Sequence, residues 1–408
     1  TTLVETVYEI LRRENQVLVC AQSNMAVDWI SEKISDRGIN VLRIGNPTRV
    51  NDKMLSFTYE RRFESHPDYP QLWALRRAIR QLYSQKGDTE KRHQKIDRLR
   101  DRATEIELSI HNYLLTSARV IACTLAGAAN RILDGQHYHT LVVDEAAQAL
   151  EAALWIPLQK ADRLILAGDH RQLPPTIKSR EAMKAGLGQT LMQTVATERP
   201  ECVSLLKVQY RMNDDIARFS SQMFYGGEIV SAPEVKNRSI LDFDTPITWI
   251  DTSGSDFHEN FIGETYGRIN PAEAELTINT LKNYINEIGK HRMLEENLDI
   301  GIISPYKAQV QLLRRMFRRD SFFKPFKNLV SVNTVDGFQG QERDIIVISL
   351  VRANEEGEIG FLSDIRRMNV AMTRARMKLF ILGNPDTLLR HDFYRKLYEY
   401  VESLKPHQ

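Results

Sequence analysis

The stretch Leu141-Val142-Val143-Asp144-Glu145-Ala146-Ala147-Gln148 constrains this chain more than any other. An apolar run without polar alternation is the pattern of a parallel strand buried on both faces, and this one ends in two adjacent carboxylates. The carboxyl end of such a strand is where side chains meet solvent and ligand. Adjacent acids there suit two different roles. Asp144 would hold Mg²⁺ through its water shell, and Glu145 would orient and deprotonate an attacking water. Any strand can end in acids, so the pair alone leaves an ordinary strand terminus open.

Some twenty residues on, Leu164-Ile165-Leu166-Ala167-Gly168-Asp169-His170-Arg171-Gln172-Leu173-Pro174-Pro175 repeats the plan of apolar strand, glycine and polar turn. Two such ends side by side form an active-site rim, from which Gln172 could reach a γ-phosphate or its water. The 408 residues, 42% hydrophobic and 26% charged, allow about two domains, each with its own core. No apolar run approaches the ~20 residues of a membrane span, and Thr1 to Asn15 is too polar for a secretory signal. Cys20, Cys123 and Cys202 lie in apolar stretches without metal-ligand spacing, which reads as reduced core cysteines of a cytoplasmic protein. A net charge of +2 leaves room only for a local basic stripe.

Taken in order, a helix spans Thr1 to Arg13, and strands follow at Gln16 to Cys20 and Val41 to Gly45. Between them Ser23 and Asn24 open a helix, as contacts to a nucleic-acid phosphate or as a plain N-cap. From residue 72 to 113 two apolar seams predict a helical hairpin broken at Gly87-Asp88, an insertion over about 52–115. Its outer arginines, among them Arg76, Arg77, Arg80, Arg98, Arg100 and Arg102, read either as a solvated face or as a nucleic-acid guide. The strand Ala118 to Thr124 places the Thr124 hydroxyl at its end. The first domain is expected to close near residue 200.

The second half repeats the alternation. Val203 to Met212 reads as a strand delivering Tyr210 to stack on a base and Arg211 to meet phosphates. Ile300 to Tyr306 is a buried strand, and the helix Lys307 to Arg319 follows. Val330 to Glu342 links a strand to a loop rich in phosphate- or ribose-binding groups. Strands follow at Ile345 to Leu350 and Leu379 to Gly383, and between them Arg366, Arg374 and Arg376 read as neighbours on one helix.

In order and spacing, VVDEAAQ, LAGDHRQLPP, QYRM, VNTVDGFQGQE and RRMNVAMTRAR resemble the superfamily 1 helicases, in the branch typified by the nonsense-mediated decay helicase and the immunoglobulin mu-binding helicase. The resemblance runs from residue 1 to about 390. It implies an α/β fold with two tandem RecA-like domains of parallel strands, 1–200 and 201–408, with ATP and Mg²⁺ in the cleft between them and a single DNA or RNA strand across the top. It also implies roles. Asp144 is the Mg²⁺ ligand, Glu145 the base and Gln172 the γ-phosphate sensor. Tyr210 stacks on adenine, Arg211 and Arg374 reach the γ-phosphate, and Gly340 and Glu342 form the nucleotide-contacting turn. Ser23, Asn24, Thr124, Ser304, Pro305 and Thr334 contact the strand, and movement is 5′ to 3′.

Relatives carry GxxxxGK followed by Ser or Thr just before a TTLVE-like helix start, whereas this chain starts at Thr1-Thr2-Leu3-Val4-Glu5. Thr1 and Thr2 are thereby implied to lie at the nucleotide. The expectation is a monomeric piece of a longer motor that hydrolyses ATP hardly at all without that loop. The departure at Asn213-Asp214, where relatives have His-Pro, bears on a helix start. Two other readings share these motifs: an ATP-gated clamp or remodeller that does not unwind, and a non-enzymatic nucleic-acid-binding remnant. DNA and RNA are not distinguished by these residues.

Overall fold

The alternation of apolar strands with amphipathic helices builds two parallel five-stranded sheets. The computed structural model describes residues 2–84, 89–254, 256–263 and 267–405. The chain divides into two units, Thr1–His170 with Pro174–Val203, and Arg171–Leu173 with Ser204–Gln408.

In the first unit, α1 (Thr2–Leu11) leads into β1 (Val17–Ala21), α2 (Asn24–Ser35) and β2 (Val41–Arg43). Then come α3 (Tyr69–Ser84), α4 (Thr89–Ser117), β3 (Val120–Thr124), β4 (Tyr138–Asp144) and β5 (Ala161–Leu166). The spatial order is β2-β3-β1-β4-β5. The central strand β1 is buried at every residue, the consequence of cover on both faces. Leu18, Cys20, Ile121, Leu141 and Val143 point to one core with the hairpin helices; Val17, Val19, Val120 and Val142 point to the other with α1 and α2. Alternate residues of one strand thus seal two separate cores.

The second unit holds α5 (Asp214–Tyr225), β6 (Ile247–Asp251), α6 (Pro271–Ile288), β7 (Ile300–Ser304) and α7 (Lys307–Arg319). They are followed by β8 (Val330–Thr334), β9 (Arg343–Ser349), α8 (Ile365–Met372), β10 (Ala375–Gly383) and α9 (Asp392–Ser403). Their order is β8-β7-β9-β10-β6, with every pairing parallel.

Several expectations are corrected. Only Val208–Gln209 of the segment Val203 to Met212 is strand; the apolar residues Val203, Leu205 and Leu206 ahead of it are exposed to solvent rather than covered by a sheet. Arg366, Arg374 and Arg376 do not share a helix. α8 stops at Met372, Arg374 lies in the turn and Arg376 already sits on β10. Cys20 and Cys123 are buried, facing each other at 3.6 Å, but Cys202 is exposed as the last residue of a short 3₁₀ turn. The break at Gly87-Asp88 lies outside the described residues, as does Thr1. Among the described residues no helix is long and apolar enough to cross a membrane.

Candidate nucleotide and nucleic-acid sites

Strand register brings the first unit's candidates to one rim. Ala21, the last residue of β1, is level with Thr124 on one side and Asp144 on the other. Past Asp144 the backbone turns through Glu145 at φ 51, a left-handed conformation that costs a residue with a Cβ about 1–2 kcal/mol. The turn is held by the Ala146 N–H donating to the Ala167 carbonyl at 2.8 Å. Gly168 fits under it: a Cβ there would lie 3.0 Å from the backbone nitrogens of both Ala146 and Ala147.

Asp144 Oδ1 accepts the Glu145 N–H at 3.0 Å, and Glu145 Oε2 accepts from Gln148 Nε2 at 2.7 Å. Burial, and then the neighbouring Glu145 charge, push the Asp144 carboxyl up to about 6. Two crowded carboxylates, one of them reluctant to ionise, are a donor set that a divalent cation would relieve. These residues fit Mg²⁺.

The strand-side candidates on this rim also carry local duties. Ser23 is exposed, and its Oγ accepts the Ala26 N–H at 3.2 Å as the N-cap of α2. Asn24 Oδ1 accepts from Arg43 Nη2 at 2.9 Å, while Arg43 Nε donates to Asp28 Oδ1 at 2.8 Å. Arg43 is wholly buried, so the pair with Asp28 fixes the start of α2 from inside. The signal in the sequence was an arginine inside the apolar run Val41 to Ile44. Thr124 Oγ1 accepts the Gly127 N–H at 3.0 Å.

In the second unit the candidates separate. Ser304 is level with Thr334 at the carboxyl ends of β7 and β8. Pro305 and Thr334 are half-buried, but the Ser304 hydroxyl is fully buried without a hydrogen-bond partner, so it is not presented to a strand here. The arginines lie at the other end, since Arg343 and Ala375 pair at the amino ends of β9 and β10. Seven residues of β9 put roughly 20 Å between the two groups.

At that amino end Arg211 Nε donates to Glu342 Oε2 at 2.6 Å, and its Nη1 donates to the Thr373 carbonyl at 3.0 Å. Arg374, 2% exposed, donates to the carbonyls of Val370 and Gln341 and to the Thr373 hydroxyl. Gln172, one of the three residues Arg171–Leu173 that belong to this unit, has its Oε1 3.5 Å from Arg374 Nη2. Arg376 faces Asp299 at 2.9 Å and Asp344 at 3.1 Å. Gly340 takes φ 74 in the turn before Glu342, and Tyr210 is 67% exposed with its ring open to a flat partner.

Two stretches match a family described as AAA domain: residues 1–92 with 74–180, and residues 187–386. The DNA-binding protein SMUBP-2 of Mesocricetus auratus is 34% identical over 421 residues, covering 98% of this chain and 41% of that protein. An uncharacterized ATP-dependent helicase of Methanocaldococcus jannaschii is 31% identical over 98% of this chain and 65% of its own length. The regulator of nonsense transcripts 1 homolog of Neurospora crassa is 33% identical over 99% of this chain and 36% of its own length. The chain belongs to the superfamily 1 helicases. Within them it is of the type of the nonsense-mediated decay and immunoglobulin mu-binding proteins, and its two parallel sheets are their RecA-like core.

For a superfamily 1 chain, the 408 residues contain no GxxxxGK run. The hairpin arginines, read as a solvated face or a nucleic-acid guide, carry counter-charges. Arg76 pairs with Glu107 at 2.6 Å, Arg102 with Glu105 at 2.8 Å and Arg100 with Asp97 at 3.7 Å, while Arg77 lies over the Trp73 ring. Glu105 and Glu107 fall one turn beyond the arginine run, which is why a count of charges within the run misses them.

Proposed function

We propose that the protein is an ATP-driven translocase or helicase acting on single-stranded DNA or RNA, moving 5′ to 3′. The observation that carries this reading is the rim of the first sheet. There Asp144, Glu145 and the Gly168 turn stand level with Thr124 and next to Ser23, so groups suited to nucleotide and groups suited to strand share one backbone framework.

Asp144 would hold Mg²⁺, which neutralises charge developing on the phosphates when bound. Glu145, oriented by Gln148, accepts the proton of the attacking water. Arg211 and Arg374 stabilise transition-state charge, Gln172 senses the γ-phosphate, Tyr210 offers its face to adenine, and the Gly340-Glu342 turn and Thr2 contact the nucleotide. Thr1 shares that assignment and lies outside the described residues. Thr124, Pro305 and Thr334 grip the strand through its backbone, which gives sequence tolerance and salt-sensitive binding.

The test compares ATP hydrolysis with strand displacement on a tailed duplex, using a chain supplied with the phosphate-binding loop of a relative. Displacement in step with stimulated hydrolysis is expected. Strong stimulation without displacement or translocation would favour the ATP-gated clamp, and hydrolysis by no form of the chain would favour a binding remnant.

A further inference from the structure

The second unit carries a concentrated positive charge on side chains to which no role is given above. Residues 301–335 hold seven lysines and arginines and a single acid, Asp320, in a chain whose net charge is only +2. Asp320 is already paired with Lys282. α7 buries Val310, Leu313 and Phe317 and turns Arg314, Arg315, Arg318 and Arg319 outward, where with Gln311 they line an open groove of about 420 Å³. Arg314 is anchored, its Nε donating to the Val332 carbonyl at 2.9 Å. Arg315, Arg318 and Arg319 are exposed, and among the described residues they form no ion pair.

A helix C-terminus welcomes cations, but the dipole is worth only about 0.3–1 kcal/mol per charge within its last turn. Arg314 with Arg318, and Arg315 with Arg319, are like-charged pairs at i,i+4, which weaken an isolated helix. The hairpin of the first unit shows the alternative, arginines interleaved with glutamates. We infer that the outer face of α7 is a second nucleic-acid contact that grips the phosphodiester backbone apart from the strand contacts at the carboxyl ends. This inference rests on the reading of the protein as a nucleic-acid motor.

Two features favour a nucleic acid over an acidic protein. The groove offers cations and one amide but no apolar or aromatic anchor of the kind that centres protein interfaces. Guanidinium groups one helical turn apart set closely spaced cations along one face, and binding by counterion release needs nothing more. α7 runs back from the carboxyl end of β7, so Arg319 lies about 20 Å along the helix from the Ser304 end. Only a strand that continues past the carboxyl-end contacts reaches it.

Binding of this chain to oligothymidylates of about 10 and about 40 nucleotides, followed by fluorescence anisotropy across a salt series, tests the inference. The triple variant Arg315→Gln, Arg318→Gln, Arg319→Gln is compared with the triple lysine variant, and thermal melting checks that both fold. For the long strand the glutamine variant should bind about tenfold more weakly, with a salt slope shallower by about 2, while the lysine variant stays near the parent. The loss on the short strand should be much smaller. Equal affinity and slope for parent and glutamine variant on the long strand would overturn the inference and leave the motor reading standing. Failure of the parent to bind either strand would overturn both.

Discussion

The carboxyl-end rim of the first sheet and the two ends of the second sheet distribute similar chemistry differently. In the first unit Asp144, Thr124 and the end of β1 are level, so the groups proposed for nucleotide and for strand share three adjacent strands. In the second, Ser304 and Thr334 close one end while Arg211, Glu342 and Arg374 gather at the other, roughly 20 Å away along β9. The segment 335–342 leads from the carboxyl end of β8 to the amino end of β9 through a 3₁₀ turn at Asp336–Phe338. The first unit therefore holds both kinds of candidate group at one end of its sheet, whereas the second holds them at opposite ends.

The largest test of this difference is chemical. With a phosphate-binding loop supplied, Arg374→Ala should lower kcat by about 10³–10⁵ while binding of single strands in the absence of nucleotide changes little, because the arginine lies at the end remote from Thr334. A comparable loss of strand binding, measured by anisotropy, would show that the two ends are not separate.

Next in size is the carboxyl end of β9, which is set by a fully buried carboxylate. Glu273 Oε1 accepts from the Ser349 hydroxyl at 2.6 Å and from the Val351 N–H at 2.8 Å, beneath a Val351 held at φ 73. Burial pushes Glu273 up to about 7 from 4.5. The folded state therefore holds a proton that the unfolded chain releases. The associated stability is complete below pH 4.5 and is lost as pH rises to about 7, in total about 3 kcal/mol. In Glu273→Gln that dependence should vanish, so denaturant midpoints of variant and parent should diverge in the variant's favour between pH 5 and 8. Parallel pH profiles would contradict this.

Smaller effects probe the first rim. Gly168→Ala drives a Cβ against two backbone nitrogens that cannot swing aside, and should cost about 1–3 kcal/mol in urea denaturation together with loss of hydrolysis. Glu145→Gly should do the reverse for stability. It removes the left-handed strain and gains about 1 kcal/mol, seen as a higher melting temperature, while abolishing turnover. A stability loss in that variant would mean that the turn is not strained.

Much of this was legible in the sequence because buried parallel strands announce themselves. The runs ending at Thr124 and Asp144 are strands with those ends, the strand read over Ile300 to Tyr306 stops at Ser304, the strand opening Val330 to Glu342 closes at Thr334, and the hairpin seams are α3 and α4. The strand β6 escaped notice because Ile247-Thr248-Trp249-Ile250-Asp251 is a short edge segment with neither a long apolar run nor a strict alternation of polar and apolar residues. Burial of the Ser304 hydroxyl could not be read either, since a serine at a strand end looks the same whether it faces solvent or core. The opposite-end arrangement of the second unit depends on a loop doubling back, and spacing alone does not reveal a reversal. The arginine partners were hidden too: Glu105 pairs with Arg102 three residues away along one helix, and Glu107 pairs with Arg76 across the hairpin, where sequence distance says nothing.

The central claim is that the acids on the first rim serve a strand-stimulated ATPase. Its most direct measurement is the rate of ATP hydrolysis, with and without a single-stranded oligonucleotide, by this chain and by one carrying a GxxxxGK loop ahead of Thr1. The account predicts slow turnover for the first, strand-stimulated turnover for the second, and its loss in Asp144→Asn. Hydrolysis that ignores the oligonucleotide, or that survives Asp144→Asn, would contradict it.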